Sequence, residues 1–353
     1  MHDFVYTSQP SKVIFGAGVL ARVNEEVHAL GAKKALVLCT PEQVAQATEV
    51  SDLLGPLSAG VFAEAKMHVP VETARRARDH ARNVGADCAV AIGGGSTVGL
   101  GKAIALESSL PIIAIPTTYA GSEMTPIYGL TENGLKRTGR DQRVLPKTVI
   151  YDPILSSSLP LGLSFVSGLN AIAHAAEGLY ARDGNPVMSL MAEDGIRAMA
   201  AGLRGIKADP RNISARGECL YGAWMCGSVL GHVGMALHHK LCHTLGGSFN
   251  LPHAETHAIV LPHALAYNSD AAPDAMLRIA RALGSESAAL GVFELGRELN
   301  IPSGLREVGM QESDLDRACD IALANPYWNP RPIECEPLRS LLQDAWNGNP
   351  PRM

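Results

Sequence analysis

"DCAVAIGGGSTVGLGKAIAL", residues 87 to 106, runs from one apolar stretch through three glycines into another. Cys88 to Ile92 is short and apolar throughout, and a run of that kind bounded by glycine reads as a strand buried on both faces. The stretch after the glycines reads as a helix. Gly93, Gly94, Gly95 and Ser96 form the turn between them. Glycines let the backbone approach a ligand closely, and a helix start offers free N–H groups and a positive dipole end to a phosphate. A tight turn without a ligand is the plainer alternative, but three successive glycines followed by Ser favour a ligand. The spacing is not the GxGxxG of the dinucleotide fingerprint, and Lys102 lies too deep in the helix for a Walker lysine.

The pattern repeats on both sides. "KKALVLCT" (33–40), "AGVFAEA" (59–65) and "LPIIAIPTTYAGSE" (110–123) carry strand signals, and "VETARRARDHARNVGA" (71–86) reads as a helix ended by Gly85. Continuous apolar strands separated by helices imply a parallel sheet covered on both faces. Such sheets bind ligands beyond the carboxyl ends of their strands. Thr40, Thr117, Thr118 and Ser122 are therefore expected to join the glycine turn in holding a nucleotide. An acidic residue at a strand end often holds the ribose 2′-hydroxyl and repels a 2′-phosphate. "LVLCTPEQ" presents Thr40 there, with no acid until Glu42, so both NADH and NADPH should be accepted.

From about residue 160 the strand signals nearly vanish. Residues 163–181, 187–206 and 215–247 read as long helical stretches, as does much of 271–347. The expected organisation is an α/β dinucleotide-binding domain, 1–156, followed by an all-α substrate domain, 157–353. A chain of 353 residues suits two domains of roughly 100–200 residues each. Hydrophobic residues at 46% against 18% charged fit a packed globular protein. A net charge of -5 without a basic run gives no footing for nucleic acid. No uninterrupted apolar window approaches ~18 residues, so no membrane span is expected, and the N-terminus lacks the features of a signal peptide. The seven cysteines form no CxxC pair. They read as reduced thiols in a cytoplasmic protein.

Histidines carry the second signal. "GLNAIAHAAEGL" (168–179) sets Asn170 and His174 four apart, on one helix face, and "HHKLCHTLGGSFNLPH" (238–253) does the same with His239 and His243 before reaching His253. Three imidazoles and an oxygen ligand could hold a divalent metal. For any single histidine an ordinary hydrogen-bonded place is the plainer reading, and His232, His238, His257 and His263 are read that way.

The order of "KVIFGAG", "AIGGGS", "PTTYAGSE", "GLNAIAHAAEGL" and "HHKLCHTLGGSFNLPHAETHAIVLPH" resembles the iron-containing alcohol dehydrogenase family along essentially the whole chain. The resemblance implies a dehydroquinate synthase-like architecture, NAD(H) or NADP(H) as cofactor, a homodimer, and a metal held by one Asp and three His. By motif, His174, His239 and His253 match those histidines, and His243 matches a further one near the nicotinamide. Asn170 stands where the aspartate would be, and Gly99 where relatives commonly carry an acid. Lys147 resembles a position near the cofactor ribose. An amide in place of a carboxylate removes a full charge and a hard ligand. A tight divalent metal is therefore doubtful. "HVPVE" (68–72), "GLKRTGRDQRVLPKTVIYDP" (134–153) and "NPYWNPRP" (325–332) resemble a subgroup that reduces a C=C bond conjugated to a ketone in a small dicarboxylate. Charge would develop there on an enolate oxygen, which donors can stabilise. His243 is then expected to donate a proton or stabilise the enolate, with His174, His239 and His253 lining the substrate site. Lys136, Arg137, Arg140 and Arg143 are further cations for a carboxylate, or a solvated charged hairpin. A metal-dependent alcohol or glycerol dehydrogenase and a dehydroquinate synthase-like lyase remain the alternatives.

Overall fold

The computed structural model describes residues 4, 6–8, 11–132 and 135–352. Gly134 and the side chain of Lys136, at the start of the charged segment, lie outside the described residues. The chain divides into two compact units: Thr7–Leu159 with Arg211–Leu220, and Met1–Tyr6 with Pro160–Pro210 and Tyr221–Met353.

In the first unit the apolar runs become strands: β1 (Lys12–Phe15), β2 (Ala35–Leu38), β3 (Ser58–Phe62), β4 (Cys88–Gly93) and β5 (Ile112–Pro116). A separate antiparallel pair follows, β6 (Ile127–Glu132) and β7 (Leu135–Arg140), and then β8 (Thr148–Tyr151). The main sheet has the order β1-β8-β5-β4-β2-β3 and every pairing in it is parallel. Its helices are α1 (Val23–Ala29), α2 (Val44–Leu54), α3 (Val71–Asn83) and α4 (Gly95–Ser108). Alternate strand residues serve opposite faces. Val37, Val90, Ile92, Ile113 and Ile150 pack with Val23, Val27, Ala47, Val50 and Leu54 of α1 and α2. Leu36, Leu38 and Ala89 pack with Ala74, Ala77, Leu100, Ala103 and Ile104 of α3 and α4. Covering both faces is what makes uninterrupted apolar strands stable, at ~1.5–3 kcal/mol for each fully buried Val, Leu or Ile.

The strand order reverses between β2 and β4. The chain leaves β2 outward to β3, then returns to the other side of β2 and proceeds through β4 to β5. Ligands of open α/β sheets bind in the crevice that such a reversal opens beyond the strand ends. Thr40 follows β2 and the glycine turn ends β4, so both stand at that point.

Lys102 has a role that its place in the sequence does not suggest. It points from α4 into the core, and its Nζ donates to Ser122 O (2.6 Å), Thr125 O (2.8 Å), Thr125 Oγ1 (2.9 Å) and Ile127 O (2.7 Å). Burial pulls its pKa down to about 7, opposed by the Glu123 carboxylate. The lysine thus fastens the loop after β5, which carries Ser122, to the helix that begins at the glycine turn.

The second unit is helical: α5 (Leu161–Leu179), α6 (Pro186–Ala208), α7 (Ile213–His232, of which the residues up to Leu220 cluster with the first unit), α8 (Leu237–Phe249), α9 (His253–Asn268), α10 (Pro273–Leu283), α11 (Ala288–Glu298), α12 (Leu315–Ala324) and α13 (Cys335–Asn347). The stretch 215–247, expected as continuous helix, breaks instead. α7 and α8 meet at 94°. The backbone N–H groups at the start of α8 find a buried carboxylate in place of the carbonyls of α7, as described below. No single described helix is long and apolar enough to cross a membrane.

Replacing Lys102 by Met should strand several buried oxygens at once. The Lys102→Met chain should lose roughly 3 kcal/mol or more in urea unfolding, since each unsatisfied buried group costs ~1–3 kcal/mol. A loss below about 1 kcal/mol would contradict the fastening role.

Candidate active site

The glycine turn is shaped by what surrounds it. Gly93 has φ +149, and a Cβ there would meet Gln43 Oε1 and Thr97 Oγ1, each at 2.5 Å. A Cβ on Gly94 would meet Thr118 at 2.9 Å. Gly94 caps α4 without any side-chain hydrogen bond, and the first turn of α4 holds no acid. Its leading N–H groups and dipole therefore remain available to an anion. Thr117 is fixed by its N–H donating to Gly93 O (3.1 Å) and by accepting at Oγ1 from Gln43 Nε2 (2.9 Å). Gln43 thus spans from the β2 end to the β5 end, and the sequence reading missed it. Its only signal was its place three residues after Thr40. A Cβ on Gly99 would come within 2.8 Å of Val69, which is itself left-handed at φ +47. The loop before α3 thus occupies the room that an acidic side chain at 99 would need.

One of the sequence expectations meets a different geometry here. Lys147 precedes β8 at the opposite edge of the sheet, where its N–H donates to Ile112 O at the start of β5. The glycine turn lies level with the end of β5, four residues or about 13 Å further along. Lys147 is thereby removed from the cofactor set. Arg143 is committed to Asp141 at 2.7 Å, while Arg137 and Arg140 are exposed on β7.

The four expected histidines do come together in the second unit. His174 of α5 stacks on His239 of α8 with ring centroids 5.1 Å apart. His239 lies 6.0 Å from His243, and His243 lies parallel to His253 at 6.4 Å. His174 and His239 are buried, whereas His243 and His253 are exposed, so the row runs from a closed floor to an open mouth. At the floor, Asn170 Oδ1, His174 Nδ1 and His239 Nε2 are buried without any partner among the described residues. Orphaned polar atoms are costly and rare in a native interior, so three at one place mark a seat for a polar ligand.

A second tier lies behind the row. His238 Nε2 is 3.0 Å from His257 Nδ1, and the His257 ring is 4.3 Å from His253 and 5.0 Å from His239. Both had been read as ordinary histidines. The signal was present, since His253 and His257 share the four-residue spacing that singled out the other pairs. Among the described residues, His238, Cys242 and His257 are the three metal-capable side chains whose ligand atoms gather within 4.8 Å. That trio already shares an internal hydrogen bond, and burial raises the Cys242 thiol well above its ordinary value, which keeps it protonated.

Glu177, one turn after His174 and fully buried, organises both tiers. Its carboxylate accepts from Ala236 N (2.8 Å) and His238 N (2.7 Å), and lies 2.7 Å from His239 Nδ1. An ionised carboxylate only accepts, so His239 Nδ1 must carry a proton and Nε2 presents a lone pair to the floor.

At the mouth, His243 Nδ1 is 3.0 Å from Tyr327 Oη. Tyr327 stands in the loop between α12 and α13, which is fastened to the end of α9. Asn268 and Asn329 exchange side-chain hydrogen bonds at 2.9 and 2.7 Å. Arg331 lies 4.3 Å over the Tyr267 ring and donates to Tyr267 O, and the Tyr267 hydroxyl donates to Pro332 O. The sequence reading quoted this loop but assigned no role to Tyr327.

Residues 10–153 match the profile of the iron-containing alcohol dehydrogenases, and residues 164–346 that of the family's C-terminal region. The chain belongs to the iron-containing alcohol dehydrogenase family. It is 60% identical over 348 residues to a maleylacetate reductase of Burkholderia cepacia, covering 99% of each chain. The crystal structure of maleylacetate reductase from Agrobacterium tumefaciens superposes with a TM-score of 0.97 at 54% identity, covering 99% of this chain and 100% of that one. A structure from Ralstonia eutropha JMP134, described more broadly as an alcohol dehydrogenase, superposes at 0.98 with 68% identity over 100% of both chains. This family member is an oxidoreductase that uses a nicotinamide cofactor and a small-molecule substrate.

The second tier has a consequence for stability. Desolvation, reinforced by neighbouring imidazoles, holds His174, His238 and His257 well below the ordinary value of 6.5, and burial brings His263 to about 4 against the pull of Asp344. These groups stay neutral in the folded chain but take protons near pH 6.5 when unfolded. Stability is then complete above about pH 6.5 and is lost as the pH falls towards the folded values. His263 alone accounts for about 3 kcal/mol by pH 4. Urea midpoints should fall steadily from pH 7 to 5, and a flat profile would show that these imidazoles charge freely in the fold.

Proposed function

We propose that this enzyme reduces the C=C bond of maleylacetate with NADH or NADPH, giving 3-oxoadipate in the breakdown of aromatic compounds. The observation that carries this reading is the floor of the histidine row. It offers orphaned polar atoms but no carboxylate facing them, because Asn170 is an amide and Glu177 is turned to α8. With no carboxylate charge at Asn170, such a floor does not repel a substrate that is itself a dianion. The relatives named maleylacetate reductase, similar over their whole length, support the same substrate.

The residues present do not fit a tightly held divalent cation. Three imidazoles and one amide leave its charge uncompensated in a partly buried place, and no step of the proposed reaction runs through a metal. A nicotinamide cofactor held by the first unit would supply the hydride that the alkene carbon β to the ketone receives. The electron pair moves onto the ketone oxygen as an enolate, and the α carbon then takes a proton. An imidazole N–H at the mouth of the row, the Nε2–H of His243, stabilises the enolate by donating a hydrogen bond. With Tyr327 donating to Nδ1 of His243, the His243 proton sits on Nε2, where it can be given to the substrate. At the floor His174 meets an acceptor group of the substrate, while Asn170 Oδ1 and the Nε2 lone pair of His239 receive hydrogen bonds from donors. In the first unit, Thr40, Gly93 to Ser96, Thr117, Thr118 and Ser122 hold the dinucleotide.

Adding maleylacetate should consume NADH with equal rates before and after chelation by EDTA. Loss of activity restored by Fe²⁺ or Zn²⁺ would overturn the metal-free reading, and no NADH consumption would defeat the assignment. His243→Ala should lower kcat by ~10²-fold or more. Tyr327→Phe should lower it about tenfold, the worth of one hydrogen bond, with KM little changed. Because Thr40 offers no charge to repel a 2′-phosphate, kcat/KM for NADH and NADPH should be comparable; a thousandfold preference for NADH would exclude that tolerance.

A further inference from the structure

The loop that carries Tyr327 begins and ends beside a cysteine. Cys319 lies on α12, six residues before the loop begins, and Cys335 is the first residue of α13, immediately after it. The two helices share one apolar core, with Leu315, Ala318 and Ala322 against Leu338, Leu341 and Leu342. That packing brings the cysteines together. Cys319 Sγ donates to Cys335 O at 3.5 Å. A sulfur that close to its partner's carbonyl oxygen sets the two residues side by side, as a disulfide between them requires. Their exposures differ sharply. Cys319 is 1% exposed, whereas Cys335 is the one exposed thiol among the seven. One sulfur can therefore meet a reagent from solution, and the other waits behind it.

We propose that Cys335 and Cys319 form a thiol modification site, an attackable and a resolving cysteine, whose product is an intrachain disulfide closing the foot of the Tyr327 loop. The oxidant is a peroxide. The Cys335 sulfur attacks one peroxide oxygen and the O–O bond breaks, giving Cys335 sulfenic acid and water. The Cys319 sulfur then displaces the hydroxyl from that sulfenic sulfur. The S–S bond forms, and the Cys319 proton leaves with the hydroxyl as a second water. Two thiols are oxidised by two electrons and one hydrogen peroxide is reduced to two waters. Reduction by a dithiol reverses the change. The bridge joins two helices already in contact, so it locks the loop's foot where it stands. The far side of the loop is held independently by Asn268 and Tyr267.

This inference is read by mass and does not rest on the reaction proposed above. The full-length enzyme would be treated with hydrogen peroxide, its free thiols blocked, and a non-reduced digest analysed by mass spectrometry. A peptide pair joining Cys319 to Cys335 with the loss of two hydrogens is expected, together with slower proteolytic cleavage within 325–334. In Cys319→Ser the same treatment should leave Cys335 as a sulfenic acid that dimedone traps, with no protection of the loop. Accumulation of sulfenic or sulfinic acid at Cys335 in the unmutated chain, or its linkage to Cys335 of another molecule, would overturn the proposal. A crosslink that forms without slowing cleavage would overturn the locking of the loop.

Discussion

A buried carboxylate cannot stand alone, and the way Glu177 is satisfied sets the layout of the helical unit. Its two oxygens receive two backbone N–H groups from the start of α8 and the Nδ1 proton of His239. A side chain taken wholly out of water requires such partners, since leaving a charge uncompensated there costs several kcal/mol. The helical chain therefore stops at His232 and restarts nearly at a right angle, with its first N–H groups aimed at α5. The same bond fixes which nitrogen of His239 faces the floor. Chain direction and imidazole tautomer are thus set by one carboxylate.

Much of this was legible in the sequence, because periodicity and spacing are local. The parallel sheet followed from apolar runs of strand length, and the glycine turn from three residues that only a close approach requires. At Gly93 a Cβ would press on Gln43 Oε1 and Thr97 Oγ1, each at 2.5 Å. His174, His239 and His243 followed from spacings of four on helix faces, and His253 from its place after the turn and from the family resemblance. What the sequence could not show was contact between distant segments. Gln43 reaches Thr117 across 74 positions, and His243 meets Tyr327 across 84. The break between α7 and α8 was hidden for the same reason, as its cause lies in α5. Lys147 was placed by resemblance alone; standing just before a strand of a parallel sheet, it lies at the end away from the carboxyl edge.

The first unit shows a similar economy of fastening. Lys102 and Gln43 are both polar side chains that hold loops together at the carboxyl edge of the sheet, one from beneath through carbonyl oxygens and one across the top through an amide. Neither would be expected to touch a bound nucleotide first, yet both determine where Thr117 and Ser122 stand. The residues with the best-known signatures are positioned by residues with none.

The helix α9 gives the site a fixed dimension. His253 is its first residue, and Tyr267 and Asn268 in its last turn anchor the loop whose tip returns to His243, beside His253. Helix, loop and imidazole row form a closed frame whose long side is about 24 Å, sixteen residues at ~1.5 Å each. A frame of this kind tolerates changes of side chain along its outer face far better than changes of length. One residue added to α9 would turn its far end by about 100° and swing the loop's anchor away from its mooring. The spacing between the first histidine of α9 and its terminal Tyr–Asn pair is therefore itself a functional quantity, set by the number of residues and indifferent to most of their identities.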